Sequence, residues 1–497
     1  MADYLHGAYG QIQAVGTKLA AQSHGAFIYV GTAPVHTVEG GANNVNVPIL
    51  VKNIAEARRI FGYSDDWANY TLCEAMHAHL ENKEVGPLVL INVLDPTTHK
   101  SGTQGSVDKT PVNGIITIPS ATEIYLDSVT VKTKASPAVT KVKGTDYTIS
   151  YNQDKGVITI KEIGTGLGSS ELAITYDVIT PASVTDATVI GASDGAGSNT
   201  GLFAVKNVYQ ATGLVPMYLA APGFSSHKTV HEAMYQNAVK VNGHWDLYMF
   251  VDLPLMNNGT QLTFDTIATY KSQNGFTKEN ETVFFPMAEG VDGAYYHISV
   301  LAAANFQELL LQQDDIPYKT ASNTECAIIS NLYMGASYTG RVFDDELINS
   351  KLNKNGIASA AFVGGRWVIW GCHSADYNPT DGDQINVSET NRMMLYYISN
   401  NFQHRRPFDV DKPMTANDLR SIVSQEQARL DALINIGALI YGTVSLNADS
   451  QAESDIMNGD FSFTFNVTVT PLARSLTAVV NWTKEGFVTY YENLLAD

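Results

Sequence analysis

The sequence is short of charge, of cysteine and of long apolar runs, and each shortage excludes a class of protein. Asp, Glu, Lys and Arg make up 16% of the 497 residues, against about 25% in an ordinary soluble domain. Disordered chains and coiled coils are far richer in charge, so neither description fits. The three cysteines, Cys73, Cys326 and Cys372, are odd in number and far apart. That spacing argues against a disulfide framework and suits synthesis in a reducing compartment. No apolar run reaches the ~18 residues of a membrane-spanning helix; the best candidate, Leu433 to Leu446, is broken by Asn435, Gly437 and Gly442. Residues 1–22 lack a basic start followed by an apolar stretch, so no secretory signal is expected. Basic residues are also in deficit, 31 against 50 acidic ones, for a formal charge of −19. Such a surface repels phosphate backbones and anionic lipid headgroups, which speaks against nucleic acid and membranes as partners.

What is present is 44% apolar residues, enough for substantial cores, over a length that suggests about three domains. The clearest boundary is itself an absence. From Thr97 to Thr200 there is no Phe, Met, Trp or Cys, although the chain holds 18 Phe, 12 Met and 5 Trp. Short β-branched runs take their place: Ile115 to Ile118, Tyr125 to Val131, Tyr147 to Tyr151, Val157 to Ile163 and Leu172 to Ile179, with a turn at Asn152 to Gly156. Such spacing predicts a small antiparallel sandwich or barrel over 97–200, inserted into another fold, with Gly191 to Gly201 as its exit linker.

On both sides the pattern is mixed α/β. Gly25 to Val30, Leu88 to Val93, Pro216 to Ala221 and Leu247 to Leu253 read as buried strands. Asn53, Glu56 and Gly62 read as the cap and stop of a short helix, and Tyr70 to Leu80 as a second helix. Val230, Ala233, Met234, Ala238 and Val241 mark one face of another. A C-terminal part from about 347 contains a strand at Trp367 to Trp370 and helices at Thr390 to Phe402 and Thr415 to Ile436. Phe461, Phe463, Phe465, Val467 and Val469 then alternate strictly with polar residues. Leu476, Ala478, Val480 and Trp482 resume the alternation after Pro471 to Ser475, which predicts a hairpin with one buried face. The fold class is therefore α+β and multidomain, a mixed α/β core with an inserted all-β domain and two low-charge tails.

No motif carries chemistry. Cys73, Met76, His77 and Leu80 fall at i, i+3, i+4 and i+7, a packed helical stripe rather than a metal site, and His79 adds no second cluster. Gly164 to Gly168 lacks the spacing of a phosphate loop and reads as a hairpin loop. Ser225, Ser226 and His227 follow a strand but miss the G-x-S-x-G elbow, so a serine there reads as an N-cap. Asp376, Asn378, Asp381, Asp383 and Glu389 miss the EF-hand pattern and read as a solvated loop. No catalytic, cofactor or metal site is expected. An exposed strand edge is a template for another chain, and the two tails are candidates to supply one.

Several segments, in this order, resemble the contractile tail sheath proteins of myophages and related contractile injection particles. They are Ser23 to Ala33; Val47 to Asn53 with Glu56 and Phe61-Gly62; Ala221-Pro222-Gly223; Asp252-Leu253-Pro254; Trp370-Gly371; Val410 to Thr415; and Phe461 to Val469 with Thr470-Pro471-Leu472. The resemblance covers nearly everything outside 97–200. It implies a structural subunit, not an enzyme, stacked in hexameric rings around a tail tube in the virion tail. The sheath contracts without nucleotide hydrolysis to drive the tube through a host envelope. Implied partners are other sheath subunits, the tube protein, and baseplate and tail terminator proteins, with synthesis in the host bacterial cytoplasm. It further implies linking arms at 1–22 and 484–497, a middle domain of 23–96 plus 201–346, an outer insert at 97–200 and an inner domain at 347–483. The Phe461 to Trp482 hairpin would belong to the sheet that receives a neighbour's arm. A non-contractile lattice protein and an α/β enzyme with an unrecognised site are the alternatives.

Overall fold

A computed structural model describes residues 25–335, 345–380, 384–446 and 453–496. The expected arm at 1–22 lies outside them, as do Asp381 and Asp383. The chain divides between Ser424 and Gln425 into two units.

In chain order the larger unit opens with β1 (Gly25–Gly31), β2 (Ile49–Val51), α1 (Ile54–Phe61), α2 (Thr71–Ala75, continued by a π-helical stretch Met76–Asn82) and β3 (Leu88–Asn92). Next come β4 (Gly105–Lys109), β5 (Ile115–Ile118), β6 (Thr130–Thr133), β7 (Tyr147–Asn152), β8 (Val157–Glu162) and β9 (Leu172–Tyr176). After α3 (Asp186–Ile190) and α4 (Val208–Thr212) the chain forms β10 (Val215–Ala220), α5 (Lys228–Gln236), β11 (Tyr248–Asp252) and the short ladder of β12 (Met256–Asn257) and β13 (Thr260–Gln261). Then follow α6 (Ile267–Asn274), β14 (Glu281–Phe284), β15 (Met287–Gly290), β16 (Tyr295–His297), α7 (Ile298–Leu311) and β17 (Ile329–Tyr333). The unit continues through α8 (Asp345–Lys351), β18 (Ile357–Val363), β19 (Arg366–Trp370) and α9 (Glu389–Arg405). The division into units falls within α10 (Ala416–Asn435).

An eight-stranded sheet ordered β19-β18-β14-β11-β10-β1-β3-β2 forms the backbone of this unit. Strands β18, β14, β11, β10, β1 and β3 run parallel, and the edge strands β19 and β2 are antiparallel. Every residue of β3 and β11 is buried, as a parallel strand covered on both faces requires, which is why both read as unbroken apolar runs. Helix α1 starts where Asn53 Oδ1 accepts from the Glu56 N–H at 2.9 Å, while Glu56 Oε2 accepts from the Lys52 N–H at 2.9 Å. It stops at Gly62, whose φ of +74° and whose place 2.6 Å from the Pro34 carbonyl oxygen, measured from an added Cβ, admit no side chain.

Between 105 and 176 lie two three-stranded antiparallel sheets, β4-β9-β6 and β5-β8-β7. Their inward residues, among them Ile116, Tyr147, Ile158, Ile160 and Ile174, form a buried cluster separate from the large core. Two details differ from expectation. The run Tyr125 to Val131 begins as a 3-10 turn, Leu126–Ser128, before β6 starts at Thr130. From Ile179 onward the chain rejoins the large core through Ile179, Val184 and Val189. The expected exit linker is a closed loop, in which the Thr200 N–H donates to the Ala192 carbonyl at 2.9 Å and the Ala192 N–H to Thr200 Oγ1 at 2.9 Å.

The expected boundary near 347 is not where the fold divides. β18 and β19 complete the large sheet, and α9 packs on β10. The smaller unit holds the end of α10, then β20 (Leu439–Leu446), α11 (Glu453–Asn458), β21 (Phe463–Val469) and α12 (Glu485–Leu494). Gly437, at φ +79°, ends α10 and turns the chain into β20.

Here the predicted hairpin is corrected. β21 pairs antiparallel with β20, from Tyr441 opposite Thr468 to Leu446 opposite Phe463, while residues 470–483 form neither helix nor strand. Alternation announces that a segment can be a strand and which side chains share a face; it does not name the partner. Residues 485–494 are helical, so the non-helical part of the tail lies upstream of the expected arm boundary at 484.

Candidate functional site: an interaction surface in the smaller unit

Of the residues singled out for possible chemistry, Cys73, His79, Ser225 and Glu389 are buried in the fold. Cys73 is buried on α2, and burial pushes its thiol up to about 12. His79 is buried between Tyr29 Oη and Gln307 Oε1, each at 2.6 Å, and burial lowers it to about 4. His77 lies 3.4 Å from the Glu81 carboxylate. Among the described residues no group of three or more His, Cys, Asp or Glu is placed to hold a metal ion, and no helix is long and apolar enough to cross a membrane.

The loop after β8 turns its N–H groups inward, where Leu167 and Gly168 both donate to Glu162 Oε1 at 2.9 Å. The expected serine cap is corrected: His227 precedes α5, and the buried Ser225 Oγ instead accepts from the Asp252 N–H at 3.1 Å. Glu389 departs from the expected solvated loop. It is buried, accepts from Thr282 Oγ1 at 2.8 Å and Thr320 Oγ1 at 2.5 Å, and its carboxyl is raised by burial.

Sequence reading missed the buried charge networks. The Glu74 carboxylate accepts from His297 Nδ1 at 2.7 Å, from a residue 223 positions away. Burial alone would lower His297, but the Glu74 charge and hydrogen bond, with Asp252 nearby, raise it to about 9. A second pair, His231 and Glu281, sits buried at 2.5 Å. These buried groups are paired with one another inside the unit, as buried charge requires.

The smaller unit is where the surface is unusual. Its sheet has two strands among the described residues, and such a pair alone is marginal in water. Leu430 of α10 lies against Gly442 of β20, where an added Cβ would stand 3.1 Å from the leucine Cβ. Gln427 of α10 bonds to Gly442 and Val444. The Thr470 N–H closes the ladder on the Ala438 carbonyl at 3.2 Å.

Beyond it, the run with β-strand alternation is left open to water: Leu476 is 90%, Val480 91% and Trp482 81% exposed. On α12 the apolar residues Phe487, Val488, Tyr490, Tyr491 and Leu494 follow helical spacing, and all are exposed. Contiguous apolar exposure of this kind marks a surface made to be covered. Such a surface has the chemistry for protein binding through main-chain pairing and apolar burial.

No protein-family model matches the sequence. A tail sheath protein of Burkholderia phage BcepMu is 25% identical over 519 aligned residues, spanning 98% of both chains. Among solved structures, the helical sheath of the anti-feeding prophage in its contracted state matches with a TM-score of 0.53 at 12% identity, over 97% of this chain and all of that one. The contracted PVC sheath of an extracellular contractile injection system matches at 0.52 and 11% identity, over 98% of each chain. A sheath tail protein of Desulfitobacterium hafniense matches at 0.51 and 10% identity, over 93% of this chain and all of that one. Over nearly its whole length the chain is thus similar in sequence to a phage tail sheath protein, and it carries the mixed α/β fold of contractile sheath subunits.

Proposed function

We propose that this chain is the structural subunit of a contractile tail sheath. In this reading it polymerises as stacked hexameric rings around a tail tube and contracts, without nucleotide hydrolysis, to drive the tube through a host cell envelope. The observation that carries the reading is the relationship with a tail sheath protein over 98% of both chains. Its partners would be further copies of itself, the tube protein, and baseplate and terminator proteins. It would be made in the bacterial cytoplasm and reside in the virion tail. The role is structural rather than catalytic.

The physical requirement is two packings of one subunit, separated by a barrier and by a free-energy gap. A gap of about a few kcal/mol per subunit becomes large when summed over many copies. Main-chain pairing lent between neighbours suits this task, because the clasp can persist while the rest of each copy moves. Residues 1–22 and the C-terminal tail would be the lenders, and the β20–β21 sheet the receiver. The exposure of Leu476, Val480 and Trp482 supports that assignment for the tail.

The two sheets of 105–176 would form an outward module. Its contacts with the rest of its unit include His36 Nε2 to the Thr122 carbonyl at 2.8 Å, Gln153 Nε2 to the Arg58 carbonyl at 2.9 Å and Tyr125 packed against the large core. Electron microscopy of the purified protein tests the reading. Tubes found in two lengths support it, one fixed lattice favours a non-contractile structural protein, and soluble single particles under all conditions refute it.

A further inference from the structure

Gln427 bonds to β20 as a residue of an adjacent strand would. Its Nε2 donates to the Gly442 carbonyl at 3.0 Å, and its Oε1 accepts from the Val444 N–H at 3.0 Å. One residue of a parallel ladder makes this same two-point contact, to a carbonyl and to the N–H two positions on. Asp431, one helical turn along, fixes the amide by accepting from Nε2 at 2.9 Å. Val444 has a single N–H, so giving it to Gln427 makes the Val444–Phe465 pair a non-hydrogen-bonded one. By alternation Gly442–Val467 is another, and Thr443–Asn466 is a bonded pair. Gly442 and Val444 therefore turn their polar groups away from β21, toward the side on which a strand lent to β20 would attach. The missing Cβ at Gly442, with Leu430 packed against it, keeps α10 close enough for Gln427 to reach.

We propose that Gln427 is an edge plug: its side-chain amide closes β20 to strand addition, so that a neighbouring copy can extend the sheet on one side only. This rests on the reading that copies exchange strands. An apolar residue at 427 would leave the Gly442 carbonyl and the Val444 N–H open, which is a template for mispairing. A sheath needs each copy clasped in one register, and a second open edge would permit branching.

The test compares the full-length chain with Gln427→Leu by amide hydrogen exchange, before and after assembly, and by electron microscopy. In the unassembled variant the Val444 amide should exchange about tenfold or more faster than in the parent. On assembly it should become protected again, and the tubes should branch or fuse laterally. Variant tubes that match the parent, with Val444 still exchanging fast inside them, would overturn the plug. Gln427→Glu keeps the acceptor for Val444 and loses the donor for Gly442; it should leave Val444 protected with little branching, and rapid Val444 exchange in it would count equally against the proposal. Failure of strand exchange itself is read elsewhere: the Val467 amide faces away from β20, and it slows on assembly of the parent only if strands are lent.

Discussion

Leu476→Ser with Val480→Ser is the perturbation whose effect can be worked out most fully. Both side chains are about nine-tenths exposed in the isolated chain, at 90% and 91%, so removing them should change its own stability by no more than about 0.5 kcal/mol. If the tail is lent to a neighbour, each side chain becomes buried there and contributes about 1.5–3 kcal/mol. Losing both removes about 3–6 kcal/mol per contact, which at tenfold per 1.4 kcal/mol raises the concentration needed for assembly by about 10²–10⁴. Pelleting across a concentration series reads the second quantity, and thermal unfolding of the unassembled chain reads the first. Assembly of the variant at the parent's concentration, or an unfolding temperature lower by several degrees before any assembly, would show that the tail is not lent.

Other expectations concern the units themselves. Gly62→Ala places a Cβ 2.6 Å from the Pro34 carbonyl oxygen at φ +74°; it should destabilise the chain by about 1–3 kcal/mol in chemical denaturation. Gly442→Val drives a branched side chain into Leu430, 3.1 Å away at Cβ, and should raise exchange at the Val444 amide without lowering the unfolding temperature of the larger unit. The pH profile of thermal stability should fall on both sides of neutrality. His36 and His79 are lowered by burial from 6.5 to about 4. The unfolded chain therefore binds more protons between those values, and stability is lost as pH falls through that window. His297 is raised to about 9 by Glu74 against the opposing effect of burial, so its contribution is present below about 6.5 and is lost as pH rises toward 9. A flat unfolding temperature from pH 4 to 9 would contradict both assignments.

How much of this was legible depended on whether the cause was local. β3 and β11 could be read because strands buried on both faces leave unbroken apolar runs. α1 could be read because Asn53, Glu56 and Gly62 act within one turn of the ends they define. The partner of β21 could not. Phe461 to Val469 and Leu476 to Trp482 alternate equally well, and only the turn at Gly437 brings Leu439–Leu446 alongside the first run. The boundary expected near 347 failed for a related reason, since β18 joins β14 across more than seventy intervening residues. The pairing of Glu74 with His297 and the plug at Gln427 are long-range or side-chain events that no periodicity announces. The open tail was visible in composition, but that residues 470–483 form neither helix nor strand was not.

High-resolution electron microscopy of the assembled particle, tracing residues 471–483, bears most directly on the central claim. Leu476 to Trp482 should run as a strand against the β20–β21 sheet of an adjacent copy, on the side away from Gln427. Density showing that segment packed on its own chain, or free of every neighbouring sheet, would contradict it.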